Sequence, residues 1–194
     1  MQFPLTITFK ILTLSPQLSV TDATGTQIGY VRQKLLALKE SVTVFADDSQ
    51  SQALYNLQAD RIIDFNANYS FTDGQGGAVG SARREGLNSM WRAHYLVSMA
   101  RDPIFEVRET SAWVRLADNL LGQIPLVGML GGYFFHPVYE VGRIGGGTVL
   151  RMTKRPALLE TDFLIEQTGP ISPDEQVTLL LSLMMIVLLE RARG

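Results

Sequence analysis

The most constraining feature of the sequence is its last apolar run, Val177 to Leu189 (VTLLLSLMMIVLL). These 13 residues stand between Asp174 and Glu175 on one side and Glu190, Arg191 and Arg193 on the other. As a helix they cover about 20 Å, against the roughly 30 Å of hydrocarbon in a bilayer. That mismatch favours a helix buried in protein over a C-terminal membrane anchor. The preceding Ser172-Pro173-Asp174-Glu175 reads as a helix start. Ser172 is the N-cap, Pro173 takes the first helical position, and Glu175 completes a capping box. The two carboxylates also lie at the positive end of the helix dipole, and Arg191 and Arg193 at the negative end. One helix is therefore predicted over 173–193. Thr178 and Ser182, four apart, can return their hydroxyls to backbone carbonyls. The other sides are Leu, Met, Ile and Val. A helix apolar all round has to be enclosed on all sides.

Most of the remaining chain alternates apolar and polar residues with the period of a half-buried strand. Tyr95 and Val97 share a face with Trp91 and Ala93, while Arg92 and His94 point the other way. Phe105 and Val107 point inward, as do Leu150 and Met152, opposite Arg151 and Thr153. Strands are predicted at 18–22, 27–33, 42–46, 53–59, 62–71, 78–84, 89–97, 104–109, 138–141, 148–154 and 159–166. Turn residues separate them: Asp22-Ala23-Thr24-Gly25, Asp47-Asp48-Ser49, Asp73 to Gly77, and Gly145-Gly146-Gly147. About a dozen strands need one apolar centre, and the helix needs apolar surroundings. A barrel of about twelve strands has room for a helix roughly 10 Å across, whereas an eight-stranded one is filled by its own side chains. The expected fold is mainly β: an antiparallel closed barrel of about twelve strands around its own C-terminal helix. The 194 residues fit a single domain, 1–194.

Composition removes several classes of function. The chain has no Cys, which excludes thiol catalysis, Cys-zinc sites and iron–sulfur clusters. A formal charge of −2 argues against a nucleic-acid binder, and a 46% apolar share argues against disorder. The N-terminus, MQFPLTITFK, has neither a basic region nor a continuous apolar core, so a cytoplasmic location is expected.

Between the strands, 111–122 reads as a short helix, with Trp113, Leu116, Leu120 and Leu121 near one face. The Gly- and Pro-rich apolar stretch 124–135 reads as a loop over a barrel mouth, or as a contact surface for lipid or a partner. No catalytic motif emerges. Gly74 to Gly80 misses the dinucleotide-binding spacing, Asp22-Ala23-Thr24-Gly25 is a turn, and no nucleophile elbow is present. His94 and His136 are isolated from other ligands in sequence, so no metal site and no cofactor are expected. Basic residues cluster at Arg83, Arg84 and Arg92, and at Arg151, Lys154 and Arg155. On strands Arg151 and Arg155 share a face, and such a patch suits a phosphate or lipid headgroup. The plainer reading is a solvated strand face.

Several stretches, in order along the chain, resemble the LURP-one-related family. They include Ser19 to Gly25, Tyr30 to Leu35, Val44 to Asp48, Gly80 to Arg84, Ser89 to Tyr95, Ile124 to Tyr139 and the apolar C-terminal helix. This family belongs to the tubby C-terminal-like superfamily, with the phospholipid scramblases. The resemblance implies a twelve-stranded barrel around a central C-terminal helix, and no enzymatic activity. Tubby-type relatives bind phosphoinositide headgroups through basic residues on the barrel. On charge alone, Arg83, Arg84, Arg92, Arg151, Lys154 and Arg155 are the candidates for such a site. The expected role is a non-enzymatic binding or scaffold domain for an anionic membrane lipid or a protein partner. The alternative is a scramblase-like lipid-handling protein that uses its C-terminal helix at the membrane. A monomer is expected, cytoplasmic or peripheral at the membrane.

Overall fold

Alternation along each strand puts apolar side chains on one face, and the protein closes those faces around one centre. The computed structural model describes residues 1–10, 17–32, 41–60, 67–85, 94–100, 102–110, 138–155 and 160–191. The strands are β1 (Leu5–Lys10), β2 (Gln17–Thr21), β3 (Gln27–Arg32), β4 (Ser41–Phe45), β5 (Ala53–Ala59) and β6 (Asn68–Asp73). They continue with β7 (Ala78–Arg84), β8 (His94–Ser98), β9 (Pro103–Thr110), β10 (Val138–Arg143), β11 (Thr148–Arg155) and β12 (Glu160–Gln167). One helix, α1 (Pro173–Arg191), follows. Each strand pairs antiparallel with its neighbours in sequence, and β1 pairs with β12, so the sheet is a closed up-and-down barrel. The expected fold is the observed one.

The lumen is apolar on every strand: Leu5, Ile7, Leu18, Val20, Phe71, Tyr95, Phe105, Tyr139, Met152 and Phe163 are among its fully buried side chains. Within it, every residue of α1 from Thr178 to Leu188 is buried. The helix has 19 residues, about 28 Å of axis, comparable to the roughly 20–26 Å rise of a six- to eight-residue strand. Its two polar residues are satisfied as their spacing predicts. The Thr178 hydroxyl donates to the Val79 carbonyl at 3.1 Å and the Asp174 carbonyl at 3.2 Å. Ser182 Oγ donates to the Thr178 carbonyl at 2.8 Å.

An up-and-down barrel puts alternate connections at opposite ends. At one end lie the turns β2–β3, β4–β5, β6–β7, β8–β9 and β10–β11 and the link from β12 to α1; we call it the turn end. Three of these turns share one device. Asp22, Asp47 and Asp73 each accept through Oδ1 from the backbone N–H two residues on, at 2.9 Å in each case. Gly25 and Gly76 then take positive φ, 80° and 86°, which glycine does without strain. Every one of the five hairpins carries a register shift beside its turn, the first between Val20 and Thr21 and the last between Val141 and Gly142. Such irregularities add the twist and bend that closure requires.

Sequence reading placed most strands within a residue or two. It did not include β1, whose Leu5, Ile7 and Phe9 alternate with Thr6, Thr8 and Lys10 and which closes the barrel against β12. The predicted helix 111–122, the stretch 124–135, Trp91, Arg92, His136, and the ends of the predicted strands at 62–66 and 89–93 lie outside the described residues. So do 192 and 193 of the predicted helix.

Candidate functional site

Among the described residues the interior leaves little room. Where β4, β5 and β6 face the last turns of α1, a cavity of about 10 Å³ remains, lined by Val42, Leu57, Tyr69, Met185, Leu188 and Leu189. That is at most one water's worth of space, in walls that give a water few partners. Burial of Tyr69 there, reinforced by the negative charge of Asp60, pushes its hydroxyl above the usual tyrosine pKa.

Where α1 enters the lumen it is clamped. Glu175 accepts from Arg143 Nη1 at 2.7 Å and Nη2 at 3.2 Å, and from the Ser172 N–H at 2.8 Å. The Glu175 N–H donates back to Ser172 Oγ at 3.3 Å, completing the predicted capping box. Arg143 also sits over the Phe105 ring, 4.7 Å from its centroid. Its guanidinium holds the Glu175 carboxyl below the usual carboxylate range, with Ser172 assisting.

The barrel wall over β8–β11 carries mixed charge. Register puts His94, Arg108, Glu140, Arg151 and Glu166 in one row across β8 to β12. Arg151 Nη2 lies 3.3 Å from Glu140 Oε1, with Glu166 on its other side in register. Arg108 Nη2 lies 2.7 Å from Glu106 Oε2. His94 is not isolated, contrary to the sequence reading, because strand pairing brings two carboxylates beside it. Its Nδ1 is 3.2 Å from Glu85 Oε2 and its Nε2 3.5 Å from Glu106 Oε2. The two nitrogens face different carboxylates, so the three groups do not converge on a point, and no metal-holding cluster of such residues exists among the described residues.

The six basic candidates separate. Arg83 and Arg155 point outward, are exposed, and make no ion pair among the described residues. Arg84 and Lys154 follow the lumen-facing phase of their strands at the rim and are half-buried. Arg151 is the one neutralised by Glu140, and Arg92 lies outside the described residues. Arg83 on β7 and Arg155 on β11 are four strands apart around the barrel, about 19 Å along the sheet at the usual strand spacing. They cannot hold one headgroup together. They do share an end, the one opposite the turn end, where Lys10 and Arg32 also lie exposed.

Charge divides along the barrel axis in a way the sequence reading missed. The turn end carries Asp22, Asp47, Asp48, Asp73 and Asp102 in its hairpins and Asp174 and Glu175 in the first turn of α1. Among the described residues only Arg143 stands against these seven, a net of −6. The other described charged side chains, eight basic and eight acidic, balance. The signal was present in the turn residues. Recognising it needed the topology, which gathers alternate turns at one end.

Comparison of the chain with protein-family models, with curated proteins and with solved structures gives no match.

Proposed function

We propose that the protein is a non-enzymatic binding domain of the LURP-one-related, tubby-like kind that recognises anionic phospholipid headgroups through basic residues at the end of the barrel away from the turns. The observation that carries this reading is the filled lumen. Among the described residues α1 leaves the lumen little space for a ligand, which favours contacts at the surface. Exposed Arg83 and Arg155 supply charge for phosphate at two separate points. The resemblance supports the same reading, since it implies twelve strands around a C-terminal helix. The scramblase-like alternative needs that helix at the bilayer, whereas α1 is buried from Thr178 to Leu188 and clamped at Glu175. No helix among the described residues is long and apolar enough to cross a membrane.

Co-sedimentation with vesicles tests the proposal. Binding to phosphatidylcholine vesicles containing phosphatidylserine or a phosphoinositide, absent on phosphatidylcholine alone and weakened by salt, is the expected result. Protein that stays in solution with every vesicle overturns it and points to a protein partner. Salt-insensitive binding that only detergent reverses overturns it in favour of helix insertion.

A further inference from the structure

We draw no further inference here: the strongest candidate, the acidic turn end of the barrel with Asp22, Asp47, Asp48, Asp73, Asp102 and Asp174, is a cluster of carboxylates beside which nothing among the described residues points to a ligand.

Discussion

Gly80 shows how closely α1 packs against its wall. A Cβ built there would lie 2.6 Å from Thr178 Cγ2 and 2.7 Å from the Ser98 carbonyl oxygen. The second neighbour is backbone, so relief requires strands to move. We expect Gly80→Ala to destabilise the protein by about 1–3 kcal/mol, the usual range for overpacking, as read by urea denaturation. Glu175 makes the other decisive contact. Because Arg143 holds its carboxyl below the ordinary 4.5, folding favours the ionised form. The resulting stability is complete above the unfolded carboxyl's pKa and is lost as pH falls through the lower folded value. Glu175→Gln therefore lowers the urea midpoint near neutral pH and loses less than the parent on acidification below 4.5. Equal acid sensitivity in both proteins would contradict the clamp. The capping half of this site was legible, because Ser172 and Glu175 are three residues apart. Arg143 was not, since it lies 32 residues from Glu175 and only the β10 register delivers it. Gly80 gave no signal either, because its constraint comes from α1, far along the chain.

Among the elements, α1 was the most legible, because an apolar run with a cap at one end and arginines at the other has few readings. β1 lies outside the predicted strands although its alternation is plain, because the stretch is short and directly follows Pro4. The strands do not contribute equally to closure. β11 and β12 pair at six positions from Leu150 to Arg155, whereas among the described residues β3 and β4 meet at the single pair Tyr30↔Phe45. Fewer ladder bonds mean cheaper local opening. Hydrogen exchange should therefore show faster amide exchange for β4 at its β3 side than for β11 and β12. Uniform protection around the barrel would show that the seam opens no more readily than the rest. Substitution within α1 should act on the whole fold. Leu183 and Met184 are 0% and 1% exposed, so Leu183→Asp or Met184→Asp puts a charge into a dry core. Neither variant should give a folded monomer, as judged by circular dichroism and thermal melting.

On the scale of the molecule, the barrel is a filled cylinder with unlike ends. Its closure was inferable from the sequence because many half-buried strands and one fully apolar helix have a common solution. The separation of its charges was not, because Asp22, Asp47 and Asp73 become neighbours only when the meander returns alternate turns to one end. The basic candidates were equally opaque. Adjacent Arg83 and Arg84 take opposite faces of β7, and Arg151 is spent on Glu140. Arg83→Glu combined with Arg155→Glu should therefore abolish vesicle binding, whereas Arg151→Glu should change it little, with co-sedimentation as the readout. All of this presupposes that α1 occupies the lumen in solution. Ser182, 0% exposed at the middle of α1, can be replaced by the near-isosteric Cys in a chain with no other thiol. The rate at which a thiol reagent labels Ser182→Cys, native and denatured, with and without anionic vesicles, measures that burial. We predict a native protein that resists labelling under both conditions and reacts fully only when unfolded; labelling of the native protein as fast as the unfolded one would contradict it.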